Sequence, residues 1–300
     1  MMTPVVFMSA SYQVLNAALT ASVMLGYGTI TVEAEYGDHL VEGTQETLAH
    51  HGPRSGNPAP CLKENMEWRG LTMSREKWLG EIVFGVSHLD LDTLGGILAE
   101  MGMKPEINSF WELAAFVDIN GYHKLSQSGA SKEDIAMLNA YLAWAENNRE
   151  YAPRDGSLVS VGEWVVRAEE ALSAIIDGSE KMLQDGVDFV LGRDKLSKES
   201  FVEMIGDVIV RKHNRFTNDL YVSPDGVIGK AVAALKTDTS EVTISLANET
   251  KGVSCIAIMQ EYFGKDAGGH EGIAGGPRTG GYGMDEVYDV ARTLHGLLKG

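Results

Sequence analysis

Cysteine is nearly missing from this chain. Cys61 and Cys255 are the two present, far apart and in no ligand-like spacing. That excludes a disulfide framework and a zinc ribbon, and it fits a reducing, cytoplasmic setting. Positive charge is scarce as well: 25 Lys and Arg stand against 42 Asp and Glu, a net charge of −17. Such a surface repels phosphate backbones, so long nucleic acid is not expected as a partner. A small anion remains compatible if its site carries its own cations. Residues 1–32 lack any charged side chain, yet no basic segment precedes their apolar part, and Ser, Tyr, Gln, Asn and Thr interrupt it. They are expected as buried core rather than as a signal peptide. No apolar run is long enough to span a bilayer, so no membrane is expected. Internal repeats and low-complexity tracts are lacking too.

What is present points to an α/β fold. A length of 300 residues suits one large or two ordinary domains. Val5–Met8, Thr29–Tyr36 and Ile82–Val86 predict strands, and Ser11–Leu25, Ser74–Gly80, Ser109–Phe116, Ser131–Asn147 and Val161–Leu183 predict helices. Residues 186–200 are polar and are expected to connect two parts. The C-terminal third changes character, with strands expected at Val208–Val210, Leu220–Val222, Ile228–Leu235 and Val242–Leu246 and a helix at Cys255–Phe263. The expected architecture is a mostly parallel sheet flanked by helices over 1–190. A second, smaller α/β domain over 191–300 would face it across a cleft.

The chain is organised around Ser87-His88-Leu89-Asp90-Leu91-Asp92-Thr93-Leu94-Gly95-Gly96. An apolar strand leads in and helix-compatible sequence leads out. Asp90 and Asp92 then fall at the carboxyl end of a strand, where open α/β sheets carry ligands. Two carboxylates and the His88 imidazole can converge on one hard divalent cation, and Mn²⁺ also accepts imidazole. The same residues equally suit a solvated loop whose aspartates cap the next helix. His50 and His51 form an adjacent pair before a segment with prolines at 53, 58 and 60. One could bind a metal while the other contacts substrate, or both could be loop histidines. Asp118, after an apolar segment and before Gly121, is a further candidate ligand or a turn aspartate.

Residues 264–283 hold nine glycines. Successive N–H groups around Gly268 and Gly269 can make an anion nest, and His270 and Arg278 can add charge-assisted contacts to a phosphate. A plain glycine loop is the alternative.

With these residues named, the sequence resembles the DHH phosphoesterase superfamily. His88-Leu89-Asp90-Leu91-Asp92 looks like the family's first metal motif. Gly268-Gly269-His270 followed by Ala274-Gly275 looks like the Gly-Gly-His motif of the DHH-associated C-terminal domain. In the family the Asp-His-His signature follows the first motif; here Ala49-His50-His51 precedes it, with alanine in place of aspartate. A rearranged order of sheet elements would reconcile the two. The resemblance implies a metal-dependent phosphohydrolase with Mn²⁺ or Mg²⁺ held by His50, His51, His88, Asp90, Asp92 and Asp118. It implies catalytic roles for Asp92, His51 and His270, and substrate contacts from Gly268, Gly269, His270, Arg278 and His123. The substrate would be a short oligonucleotide, a cyclic dinucleotide or pyrophosphate, with a homo-oligomer left open. A non-catalytic nucleotide or metal sensor using the same cleft is the alternative.

Overall fold

The computed structural model describes residues 3–36, 38–54, 56–62, 82–153, 155–248, 250–269, 271–277 and 281–299. The expected helix at Ser74–Gly80 lies outside them. The chain is mixed α/β and divides into two units: Met1–Ile119 with Ser128–Phe189, and Asn120–Gln127 with Val190–Gly300.

The first unit is built on a five-stranded mixed sheet. Its strands are β1 (Val5–Met8), β2 (Gly28–Val32), β5 (Glu46–Leu48), β6 (Ile82–Val86) and β7 (Val159–Ser160), in the order β5-β2-β6-β1-β7. A small hairpin of β3 (Glu35–Tyr36) and β4 (His39–Leu40) follows β2. The first four strands of that order pair in parallel, and β7 joins the edge antiparallel. β6 is apolar and buried along its length after Ile82, as a strand covered on both faces should be. The register aligns Val32 with both Leu48 and Val86. The residues that follow these three strands therefore emerge side by side at one edge of the sheet.

Helix α1 (Tyr12–Met24) lays Leu15 and Leu19 on this sheet. Helix α2 (Leu91–Met101) follows β6 and is almost wholly buried. Gly95 and Gly96 let it come close. A Cβ on Gly95 would lie 2.4 Å from Cys61 Cβ, and one on Gly96 would lie 2.8 Å from Val32 Cγ1. Helices α3 (Asn108–Asn120), α4 (Lys132–Asn147) and α5 (Gly162–Ile176) supply Phe110, Trp111, Leu138, Trp164 and Leu172 to the buried interior. Ser131 caps α4, its side chain accepting from Asp134 N.

One expectation changes here. The helix expected over Val161–Leu183 is broken after Ile176, because Gly178 adopts a left-handed φ of 82°. The polar stretch 186–200 does connect two parts: it is helical, within α6 (Glu180–Ser200), and the division between the units falls inside it, at Phe189 and Val190.

The second unit carries a six-stranded mixed sheet, ordered β12-β13-β11-β10-β9-β8. These are β8 (Phe201–Ile205), β9 (Val208–His213), β10 (Ala231–Lys236), β11 (Glu241–Leu246), β12 (Gly268–Gly269) and β13 (Ile273–Gly275). β9 and β10 pair in parallel; the other neighbours are antiparallel. Alternation along β10 sends Ala231, Ala233 and Leu235 to a core with α7 (Cys255–Phe263) and α8 (Met284–Leu297), and Val232 and Ala234 to the other face. Leu220–Val222 is not a strand. Only Val222 makes a bridge, to Ile228, because the Leu220 and Val222 carbonyls, on either side of Tyr221, accept from the Arg211 guanidinium instead. Arg211 is fully buried, and its other nitrogen contacts are with Ser197 and Ser200. Among the described residues no helix is long and apolar enough to cross a membrane.

Candidate metal centre

Three chain segments leave the carboxyl ends of β5, β2 and β6 and meet. The central one carries Glu33, a residue the sequence reading did not single out. Glu33 has a left-handed φ of 49° and no solvent exposure. Such a conformation in a non-glycine residue is strained and persists only where its surroundings impose it. Here both neighbouring segments do so: Glu33 N donates to Leu48 O at 2.7 Å, and Glu33 O accepts from the Ser87 hydroxyl.

The Glu33 carboxylate thereby sits between the histidines. Its Oε1 lies 2.8 Å from His50 Nε2 and 3.7 Å from His51 Nε2. Its Oε2 accepts from Thr93 Oγ1 at 2.7 Å and lies 3.5 Å from His88 Nε2. Asp118, in the last turn of α3, brings Oδ2 to 3.2 Å from His50 Nε2 and 3.3 Å from His51 Nε2. Asp92, in the first turn of α2, accepts from Cys61 N at 2.7 Å through Oδ1 and brings Oδ2 to 3.1 Å from His50 Nε2. Asp90 both caps α2, accepting from Thr93 N at 2.8 Å, and lies 3.2 Å from His88 Nε2. The capping and ligand readings of Asp90 are thus compatible in one side chain.

The cluster resolves into two groups of converging ligand atoms that share Glu33. One is Glu33, His50, His51 and Asp118; the other is Glu33, His88 and Asp90. Either could hold a metal ion. Asp92 Oδ2 approaches the first group through His50. Three carboxylates crowd His50 Nε2, which can offer one hydrogen at most. Asp92 Oδ2 and Asp118 Oδ2 are buried without a hydrogen-bond donor among the described residues. Buried anionic oxygens without donors are costly, and hard cations take just such oxygens together with imidazole. The residues therefore could hold a metal ion.

No family model matches the chain, and no curated protein does.

Electrostatics in the metal-free protein follow from crowding. Burial opposes ionisation of Glu33, but hydrogen bonds and charge from His50 and His88 hold its carboxyl well below the usual range. Burial opposes protonation of His50, but Asp118, Asp92 and Glu33 push its imidazole up to about 12. Burial pushes the Asp92 carboxyl up to about 7, opposed by the nearby His50 imidazole and helped by the Glu33 charge. Asp118 moves the other way despite its burial, because two histidines face it where Asp92 has one.

The remaining expected residues belong to the second unit or lie outside the described residues. His123 belongs to the other unit, in the 3₁₀ turn Tyr122–Gln127, with its ring 4.9 Å from that of Tyr221. It joins neither ligand group. Gly268 and Gly269 form β12, paired with Gly275 and Ala274. A side chain at Gly269 would strike Ile273 O at 2.4 Å, so this part of the glycine-rich segment is a paired turn. His270 and Arg278 lie outside the described residues. Glu33 left one trace in the sequence: it is an acidic residue closing a strand, as Asp90 nearly is.

Proposed function

We propose that the chain is a divalent-metal-dependent phosphohydrolase acting on a small phosphoester or phosphoanhydride. The observation that carries this reading is Glu33, a buried carboxylate common to two ligand groups otherwise made of imidazoles and carboxylates. Mn²⁺ suits that mixed set best, and Mg²⁺ is the alternative. When bound, such ions supply Lewis acidity at a phosphoryl oxygen and a water acidic enough to attack near neutral pH.

The chain's own residues divide the work by exposure. Glu33, Asp92 and His50 are buried and hold the centre. Asp118 completes the side formed by the His pair, and His88 with Asp90 forms the other. Thr93 fixes Glu33 Oε2. The His51 side chain is 49% exposed, which leaves it able to reach a substrate and move a proton at Nε2.

The likeness of His88–Asp92 and of Gly268-Gly269-His270 to DHH phosphoesterases supports the choice of phosphoester chemistry. On that likeness we assign phosphate holding to Gly268, Gly269, His270 and Arg278, and a substrate contact to His123. The two-domain organisation over 1–190 and 191–300 belongs to the same proposal. The net charge of −17 favours a short substrate such as a dinucleotide, a cyclic dinucleotide or pyrophosphate. Ala49, where the family carries aspartate, favours a second reading as a binding sensor.

One experiment separates these. Chelator-stripped protein is refilled with Mn²⁺ or Mg²⁺ and offered the three substrate types. Metal-dependent phosphate release is the expected result. Metal binding without turnover supports the sensor, and failure to bind either metal contradicts both.

A further inference from the structure

His50 and His51 are consecutive, yet both Nε2 atoms face Asp118 Oδ2, and their rings lie 4.0 Å apart at 43°. Adjacent side chains on extended backbone point to opposite sides, so this convergence needs a turned main chain. What holds the turn is Glu35. Its Oε1 accepts from His50 N and from His51 N, each at 3.1 Å. Two successive N–H groups converging on one anionic oxygen form a nest, here built from the protein's own carboxylate. Glu35 is itself anchored in β3, paired with Leu40, and the neighbouring Tyr36 hydroxyl donates to Ser9 O at 2.8 Å. Glu35 is in neither ligand group.

We propose that Glu35 is a positioning residue for the metal centre, fixing the His50–His51 turn so that both imidazoles present Nε2 to one cation. This rests on reading the cluster as a metal centre. Removing the acceptor frees two N–H groups to seek other partners and lets the rings diverge.

The test compares wild type, Glu35→Ala, Glu35→Asp and Glu35→Gln after chelator treatment. Mn²⁺ affinity is measured by calorimetry, Co²⁺ coordination by its visible absorption, and metal-free stability by thermal melting. Glu35→Ala is expected to weaken Mn²⁺ binding about tenfold to hundredfold, the usual effect of losing a group that orients a ligand, and to shift the Co²⁺ bands. Glu35→Asp withdraws the acceptor by one methylene and should weaken binding in the same direction, even if Glu35→Ala does not fold. Glu35→Gln keeps a carbonyl able to accept both N–H groups and should recover most of the affinity. Wild-type Mn²⁺ affinity and Co²⁺ bands in Glu35→Ala or Glu35→Asp would overturn the positioning role and leave the metal reading standing. No Mn²⁺ binding by wild type would overturn both.

Discussion

The Glu33 carboxylate and the His50 imidazole meet at 2.8 Å with both side chains buried, although 17 positions separate them in the chain. The contact exists because β2 and β5 are parallel neighbours that end level, Val32 beside Leu48. The same logic on the other side of β2 brings Ser87 and His88 to Glu33 from the end of β6.

Glu33 tolerates a left-handed backbone that glycine adopts freely. Glu33→Gly should therefore leave the fold intact, with melting at or above that of the metal-free wild type, while Mn²⁺ binding collapses. Calorimetry showing unchanged Mn²⁺ stoichiometry would remove Glu33 from the centre.

Metal binding should release protons. At pH 7 the metal-free protein holds one on His50, raised to about 12, and part of one on Asp92, raised to about 7. A cation must displace them, so Mn²⁺ affinity should rise from pH 6 to pH 8, with about one proton or more released. Calorimetry in buffers of different ionisation enthalpy counts them. The linked stability has a definite sign. Asp92 contributes most below its ordinary value of 3.8 and loses that contribution as pH climbs to about 7. His50 contributes fully below 6.5 and loses it progressively toward about 12. Metal-free protein should thus melt lower at pH 8 than at pH 6; a higher melting point at pH 8 would contradict these assignments.

The local parts of this site were legible and the long-range parts were not. His88 and Asp90 lie close together after an apolar strand, so spacing alone suggested their convergence; Asp92, expected to join them, faces His50 instead. Asp118 stood out as an acid ending an apolar helix. Glu33 was hidden: in Thr29–Tyr36 it falls among alternating polar residues, and nothing local announces a φ of 49°. That His50 lies beside Asp92 depends on β5 and β6 flanking β2, a pairing order that periodicity does not encode. The break at Gly178 was missed because the apolar stripe of α5 runs on into the start of α6.

Gly95 predicts how tightly the centre depends on α2. Gly95→Ala places a methyl 2.4 Å from Cys61 Cβ and 2.8 Å from Trp111 Cζ3. Overpacking of this kind typically costs about 1–3 kcal/mol. It should also weaken Mn²⁺ binding, since Cys61 N holds Asp92 and the helix start holds Asp90. Wild-type melting and affinity together would show that the helix accommodates the methyl freely.

Arg211 tests the second unit. Its buried guanidinium donates to the carbonyls of Ser197, Leu220 and Val222 and to the Ser197 and Ser200 hydroxyls. Arg211→Ala leaves these acceptors buried and should destabilise the protein by about 3 kcal/mol or more. Arg211→Lys should rescue little, because an ammonium cannot reproduce the planar fork. Denaturant unfolding of both variants checks this; a loss under about 0.5 kcal/mol, the range of ordinary surface changes, would contradict it.

The central claim is that two ligand groups share one buried carboxylate. The most direct measurement is anomalous X-ray scattering from crystals of the protein equilibrated with Mn²⁺. The account predicts two peaks flanking the Glu33 carboxylate, about 4 Å apart as in other two-metal sites, one beside His50, His51 and Asp118 and one beside His88 and Asp90. No peak at Glu33, or peaks only at other positions, would contradict it.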